Sequence, residues 1–160
     1  MAKIKYTLVL FLLLAGEARA DEWDFAVEIN GKSNHQASKC NNGPCNEENN
    51  GFGLEFRNYA TWPTILAAGE FKNSFNHDSW YVGAGKTFRF GEKYGVEAGV
   101  FASYISYDAE RENHKFFAIV PLIIIDLNYA RINTIYIPSY KKNQDEIKAL
   151  WFFQLVIPIR

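Results

Sequence analysis

The sequence predicts an all-β protein: an eight-stranded antiparallel up-and-down transmembrane β-barrel, preceded by a cleaved signal peptide. Two observations support the barrel. Apolar and polar residues alternate with a period of two along most of the chain, which is typical of strands with two different faces. The candidate strands are separated by turns rich in Asn, Gly, Asp and Lys. A third observation, an amino-terminal segment with the composition of an export signal, places the barrel in an exported protein.

The amino-terminal segment has the three parts of a secretory signal. Lys3 and Lys5 precede an apolar run over residues 6–15, and the small-residue sequence Ala18-Arg19-Ala20 follows it. The apolar run is shorter than the roughly 20 residues that a spanning helix needs. We therefore predict cleavage after Ala20, with residues 1–20 as the signal peptide and 21–160 as one barrel domain. Retention of the leader as an anchor is the alternative.

Eight segments qualify as strands by alternation and by their flanking turns. In chain order they read "WDFAVEING", "GFGLEFRNYA", "TILAAGEFK", "WYVGAGKTFRF", "YGVEAGVFASYISY", "FFAIVPLIIIDLNY", "RINTIYIPSY" and "IKALWFFQLVIPI". Eight strands are enough to close a small barrel.

The two faces of these strands differ sharply. One face is aliphatic and aromatic, whereas the other combines glycines with Glu55, Arg57, Arg89 and Glu97. A membrane barrel turns its apolar face to lipid and its polar face to the lumen, where charges of opposite sign can pair. Aromatic residues near the strand ends suit interfacial girdles: Trp62, Trp80, Tyr94, Tyr104, Tyr136 and Trp151. The pattern favours the cell outer membrane, and a soluble lipocalin-like barrel with an apolar cavity is the alternative.

Charge and cysteine content narrow the function classes. The formal net charge of -1 provides no basic surface for nucleic acid. Cys40 and Cys45 lie in "CNNGPC", and in an exported chain we predict that they form a disulfide. Free thiols and a metal site are the alternatives, and the metal is disfavoured because no histidine cluster accompanies the cysteines. No metal and no cofactor is predicted.

Two prolines and two glycines in the strands bear on function. Pro121 and Pro138 lack the N–H of a ladder bond, so in a closed barrel they predict a gap in the wall, unless they lie at strand ends near the rim. Gly83 and Gly85 share the predicted inner face and leave room there for a slender molecule. The alternative is that these glycines only ease the curvature of the strand.

Several segments resemble one family of membrane enzymes. The segments "FKNSFNHDSWYVGAG" and "VPLIIIDLNYARINTIYIPSY", together with the last strand, resemble the PagP-like lipid A palmitoyltransferases, from about Gly51 to the carboxyl terminus. The resemblance implies an eight-stranded outer-membrane barrel that holds one acyl chain and moves it from a phospholipid to lipid A. It also implies phospholipid and lipopolysaccharide as partners, and we expect a monomer.

The resemblance also implies a reactive site at the outer rim. The Asp-Ser pair of the family falls on Asn73 and Ser74, and its essential histidine falls on His35, with His77 as the alternative. A neutral histidine beside a hydroxyl can activate an attacking oxygen. Asn73 departs from the family because an amide cannot stabilise an imidazolium by charge, and Asp78 is the substitute carboxylate that the sequence offers.

The resemblance assigns roles to the strand positions as well. It implies that Gly85, with Gly83 beside it, sets the depth of the acyl pocket, and that Pro121 and Pro138 open a lateral path for lipid. Two other functions stay open. One is a non-enzymatic surface barrel that binds lipopolysaccharide or masks a surface receptor, and the other is a periplasmic lipocalin-like lipid carrier.

Overall fold

The computed structural model describes residues 23–36, 39–40, 43–60, 62, 64–90, 95–108, 113–142 and 145–159. The predicted signal peptide, residues 1–20, lies outside the described residues. The described residues contain no helix that is long and apolar enough to cross a membrane.

Eight long strands close into one antiparallel barrel, which confirms the predicted fold. They are β1 (Asp24–His35), β4 (Glu48–Arg57), β5 (Ile65–Lys72), β6 (Asp78–Phe90), β7 (Val96–Asp108), β8 (Asn113–Asp126), β9 (Arg131–Ile137) and β12 (Leu150–Ile159). Each pairs with the next barrel strand along the chain, and β1 closes the wall against β12. Two small hairpins lie in the connections: β2 (Lys39–Cys40) with β3 (Gly43–Pro44), and β10 (Tyr140–Lys142) with β11 (Asp145–Ile147).

The two ends of the barrel differ in their connections. β1 begins and β12 ends at one end, which we call the terminal end, together with the links from β4 to β5, β6 to β7 and β8 to β9. The opposite end, the loop end, carries both small hairpins and the turn from β5 to β6. Membrane barrels show the same asymmetry, with short turns at the periplasmic end and longer loops outside.

The outer surface of the barrel is apolar, as the alternation predicts. Side chains of Phe52, Phe88, Phe117 and Ile119 are each more than 60% exposed. Many further apolar residues share this surface, among them Phe25, Ile29, Val100, Tyr104, Ile123, Phe153, Leu155 and Ile157. A soluble lipocalin-like barrel would turn such residues inward, so this surface argues against that alternative.

Paired charges fill the lumen near the terminal end. Arg57 Nε lies 2.8 Å from Glu55 Oε1, and Arg57 Nη1 lies 2.8 Å from Glu97 Oε2. Arg131 joins the network, 2.6 Å from Asp24 and 3.3 Å from Glu55. Arg57, Glu55 and Glu97 are all buried, and such charges are tolerable in a lumen only when they are paired.

Arg89 takes a different place from the other predicted lumen charges. It lies at the mouth of the terminal end, is exposed, and forms a 3.3 Å ion pair with Asp126. The buried network is therefore built from Glu55, Arg57 and Glu97, with Arg131 as a member that the alternation alone did not single out.

Candidate functional site

A serine and a histidine meet in the lumen at the loop end. His35 Nε2 lies 2.7 Å from Ser74 Oγ, a hydrogen-bond distance. Ser74 lies in the turn between β5 and β6, and His35 is the last residue of β1. Both residues are buried, and the His35 side chain is 0% exposed. The structure thus brings together two of the three residues that the sequence predicts for the reactive site.

A bulge in β1 turns His35 into the lumen. The pairing of β1 shifts between Asn30 and Lys32 against both of its neighbours: Gly31 is an extra residue relative to β12, whereas relative to β4 the extra residue lies on β4. Asn30 faces the lumen before the bulge, whereas Ser33 and His35 face it afterwards. A bulge re-aims side chains because one added residue reverses the alternation. Without it, His35 would face outward.

Asn73, the third predicted residue, binds its own turn. Its Oδ1 accepts the backbone N–H groups of Phe75 at 2.9 Å and His77 at 3.1 Å. Its Nδ2 donates to Ser79 Oγ at 3.0 Å and to the backbone carbonyl of Asp108. A carboxylate could not donate these last two bonds, because it carries no N–H. These bonds give the asparagine a local structural role in the turn, and its part in catalysis stays a prediction.

Tyr107 on β7 holds the backbone of Ser74. The N–H of Ser74 donates to the Tyr107 hydroxyl at 3.1 Å, and the carbonyl of Ser74 accepts the N–H of Asn46 at 2.8 Å. Ser74 is thus fixed from the barrel wall on one side and from the loop before β4 on the other. Tyr107 was not singled out from the sequence, because its distance from Ser74 depends on strand register.

On the far side of the imidazole lies Glu47, in the segment between β3 and β4. Its Oε1 is 3.8 Å from His35 Nδ1 and accepts the backbone N–H of His35 at 3.3 Å. The described residues offer Nδ1 no hydrogen-bond acceptor. His35 follows Asn34, which pairs with Trp151, so it lies on the loop side of the contacting Trp151 and Tyr136 rings. Burial lowers the pKa of His35, while the Glu47 carboxylate acts in the opposite direction.

The alternative residues from the sequence lie elsewhere. His77 Nδ1 is 4.0 Å from Asp108 Oδ2, on a side chain that is 41% exposed. Asp78 forms a 2.7 Å ion pair with Lys72 on the outer surface. The position of Glu47, rather than of Asp78, brings a carboxylate to the imidazole.

A disulfide closes the loop that covers this site. Cys40 and Cys45 are bonded with an S–S distance of 2.11 Å. Both sulfur atoms and a ring nitrogen of His35 lie within 4.8 Å of one another. Because the sulfurs are bonded to each other, the group is a packed cover over His35 rather than a set of metal ligands.

Below the Ser74–His35 pair, the lumen contains a cavity of about 60 Å³, whose wall is mostly apolar but also includes Glu28, Glu55 and Gln154. Its wall includes Phe71, Tyr81, Phe101, Ile105, Val120, Leu122, Ile135, Ile137 and Phe152. Each CH₂ group of a ligand that is buried against such a lining gains about 0.8 kcal/mol, so the lining suits a hydrocarbon chain. A long acyl chain needs more room than this cavity offers, so its binding requires the lining side chains to move apart.

The space beside the inner glycines is occupied, contrary to the predicted open slot. A Cβ built on Gly83 would lie 2.7 Å from the Phe101 ring, and one on Gly85 would lie 3.0 Å from it. Phe101 pairs with Gly85 across the β6–β7 ladder and is buried. The glycines leave room for the ring of a neighbouring strand, which register decides and strand alternation does not reveal.

The barrel wall is incompletely paired between β8 and β9. The ladder joins Leu122–Asp126 to residues 131–135, whereas β8 pairs with β7 from Asn113 to Ile125. Among the described residues, the loop-side part of β8 through Pro121 has no ladder partner on β9. Pro121 stands where this ladder stops, and Pro138 directly follows β9. Pro121 therefore lies where the β8–β9 pairing ends, whereas Pro138 lies at a strand end, the alternative that the sequence left open.

A row of aromatic rings connects the end of the β8–β9 pairing with the turn that carries Ser74. Phe75 contacts Tyr107 at 6.0 Å between ring centroids, Tyr107 contacts Phe116 at 6.5 Å, and Phe116 stacks on Tyr140 at 5.1 Å. Phe75 is adjacent to Ser74 in the chain. Phe116 lies on the part of β8 that pairs with β7 but has no ladder partner on β9. An apolar surface thus runs from the wall opening to the serine.

The fold and site define an eight-stranded antiparallel barrel with an apolar outer surface and a buried serine–histidine pair. No protein-family model and no curated protein matches the sequence. Among solved structures, the chain is similar to the Yersinia pestis outer membrane protein Ail in a phospholipid bilayer nanodisc, with 15% identity, a TM-score of 0.47, and coverage of 86% of this chain and 100% of that one. The crystal structure of Ail, the attachment invasion locus protein of Yersinia pestis, gives 14% identity, a TM-score of 0.41, and coverage of 86% and 97%. Likeness at this level extends to neither activity nor site.

Proposed function

We propose that the protein is an outer-membrane barrel that transfers a fatty acyl chain from a phospholipid to lipid A. The observation that carries this proposal is the buried 2.7 Å contact between Ser74 Oγ and His35 Nε2, at the loop end of the lumen. The resemblance of the sequence to PagP-like palmitoyltransferases agrees with it in position, because His35 and Ser74 are both residues that the resemblance selects.

The distribution of side chains supports a location in the membrane. An apolar outer surface and a polar, charge-paired lumen are what a barrel in lipid requires. Two pairs of contacting rings, Tyr136–Trp151 and Trp80–Tyr104, lie toward the loop end, where aromatic side chains mark a membrane interface. Lipid therefore lies directly outside the opening between β8 and β9.

The proposed chemistry is acyl transfer through the serine. Ser74 Oγ attacks the ester carbonyl carbon of the phospholipid, and its proton passes to His35 Nε2. The carbon–oxygen ester bond then breaks, and the departing alkoxide takes that proton to give a lysophospholipid. In the second half, the lipid A hydroxyl gives its proton to His35 and attacks the acyl-serine, which frees Ser74 to be protonated again.

The residues around the pair support both halves. Burial favours a neutral His35, which is the form that can accept a proton. The Tyr107 hydroxyl beside Ser74 is a donor that can stabilise the oxyanion as the carbonyl is attacked. The aromatic row and the wall opening supply the path along which a single acyl chain reaches Ser74.

The test is a mass spectrum of lipid A from a lipopolysaccharide-bearing host that expresses the protein. Wild type adds one acyl chain, whereas Ser74→Ala and His35→Ala add none. Ser106→Ala is the matched control, because Ser106 lies on β7 near the loop end without contacting His35. Unmodified lipid A with verified outer-membrane insertion of the wild type would exclude the proposal.

A non-enzymatic surface barrel that binds lipopolysaccharide is the second candidate. The observation in its favour is the cover over the site: Ser74 is 3% exposed, and the disulfide-closed loop lies on His35. For this function, lipopolysaccharide binding by the loops would survive Ser74→Ala, and lipid A would stay unmodified in every variant.

A further inference from the structure

The Glu47 carboxylate lies beside the Ser74–His35 pair, in a part of the chain outside the resemblance. The proposed transfer makes His35 carry a positive charge for part of each cycle, and an imidazolium is stabilised by a carboxylate at its second nitrogen. Asn73 cannot supply that charge, and its side chain is engaged in its own turn. The described surroundings of His35 Nδ1 contain one carboxylate, that of Glu47, at 3.8 Å.

The backbone around Glu47 is anchored on both sides of the site. The Glu47 carbonyl accepts the N–H of Ser33 at 3.0 Å, which ties the segment to β1. The neighbouring Asn46 donates its backbone N–H to Ser74 and its side-chain N–H to the carbonyl of Asn73 at 2.9 Å. The segment therefore bridges the strand that bears the histidine and the turn that bears the serine.

The disulfide sets where this bridge begins. Cys45 directly precedes Asn46, and its bond to the buried Cys40 closes a short loop next to His35. A short closed loop restricts the positions that the following residues can reach. The 3.8 Å between Glu47 Oε1 and His35 Nδ1 exceeds a direct hydrogen bond but lies within the distance over which an opposite charge favours the protonated imidazole.

We propose that Glu47, held in place by the Cys40–Cys45 loop, is the carboxylate partner that orients His35 and stabilises its protonated form. This inference rests on the proposed function, because it assigns Glu47 a positioning role in the same transfer. Ser74, His35 and Glu47 then form a serine–histidine–carboxylate array whose carboxylate comes from the loop rather than from the Asn73 position.

The groups that face His35 determine how the rate of acyl transfer depends on pH. Among the groups around His35, the Glu47 carboxylate carries a charge. The Tyr107 hydroxyl is linked to His35 through Ser74, and the disulfide sulfurs do not titrate. Since the carboxylate raises the pKa of His35, Glu47→Gln lowers that pKa further. The acidic limb of the rate profile, along which His35 becomes neutral and active, therefore moves to lower pH.

The experiment compares Glu47→Gln with Glu48→Gln in the full-length barrel, folded in lipid nanodiscs. Glu48 is the matched control because it is the next residue, is exposed, and contacts this site through its backbone. The pKa of His35 is read by NMR of labelled imidazole nitrogens, and transfer is followed by lysophospholipid release. Glu47→Asp tests rescue, and heat-modifiable migration verifies folding.

We expect Glu47→Gln to lower kcat by about tenfold with KM unchanged, to lower the pKa of His35, and to be partly rescued by Glu47→Asp. The loss is smaller than the roughly 10⁴-fold effect of neutralising a buried triad carboxylate, because the Glu47 side chain is 53% exposed. Equal behaviour of the two glutamine variants in both readouts would overturn the inference. A shifted His35 pKa in a barrel that transfers no acyl chain would support the pairing while excluding the proposed function.

Discussion

The two ends of the lumen use polar residues in opposite ways. At the terminal end, Arg57 binds Glu55 and Glu97 in a buried network of opposite charges. At the loop end, His35 and Ser74 form a buried pair whose second imidazole nitrogen lies 3.8 Å from a half-exposed carboxylate. The first arrangement pairs charges of opposite sign and fills the lumen near the terminal end. The second places the titratable imidazole of His35 beside the hydroxyl of Ser74. Such an arrangement suits a chemical role rather than a stabilising one.

The largest expected effect in this comparison comes from breaking the terminal network. Arg57→Ala leaves Glu55 and Glu97 buried without their main partner, and removing one member of a buried ion pair costs about 3–5 kcal/mol. Urea unfolding in lipid vesicles, followed by tryptophan fluorescence, measures this loss. Arg89→Ala is the control, because Arg89 is exposed at the barrel mouth and its loss costs under about 1 kcal/mol. Equal losses in the two variants would contradict the role assigned to the network.

A smaller effect is expected between the two ends, where Phe101 fills the space beside Gly83 and Gly85. Phe101→Ala removes a buried ring, with a typical cost of about 3 kcal/mol, and enlarges the lumen toward the terminal end. If the lumen measures the acyl chain, the variant transfers longer chains than wild type does, as a lipid A mass spectrum would show. Val100→Ala on the outer surface is the control and keeps the wild-type chain length. An unchanged length of the transferred acyl chain in Phe101→Ala would show that the cavity does not select the substrate.

Opening the loop cover should affect the site more than the barrel. The double change Cys40→Ser and Cys45→Ser removes the constraint of a short loop, which contributes at most about 2 kcal/mol. The barrel strands keep their wild-type unfolding profile within that amount, while His35 reacts faster with an imidazole-modifying reagent. Reduction of the wild-type protein by a phosphine should reproduce the faster reaction. An unchanged rate in both would show that the disulfide does not cover His35.

The smallest effect on stability is expected at the wall opening. Pro121→Ala restores an N–H where the β8–β9 ladder stops, so pairing can extend and narrow the opening. We expect acyl transfer to slow by a few fold while the free energy of unfolding stays within about 0.5 kcal/mol of wild type. Pro158→Ala on β12, away from the opening, is the matched control. Unaltered transfer in Pro121→Ala would show that lipid enters the barrel at another place.

The sequence predicted the barrel because strand alternation is a local property. Polar Glu55, Arg57 and Glu97 fell on one face of their strands, and the structure places them in the lumen. The positions of the site residues depend instead on contacts between distant parts of the chain. The bulge at Gly31 decides that His35 faces inward, and the register of β6 with β7 places Phe101 over Gly83 and Gly85. Glu47 reaches the imidazole only because the loop folds back on β1, which no spacing in the sequence indicates.

The most direct test of the contrast between the ends is lysophospholipid release by the purified, folded barrel in phospholipid vesicles. The account predicts release by wild type, loss of release in Ser74→Ala, and wild-type release per folded molecule in Arg57→Ala. Wild-type release no higher than that of Ser74→Ala would contradict the account. Equal loss in the folded fraction of Arg57→Ala would also contradict it, since the chemistry would then not belong to the loop end.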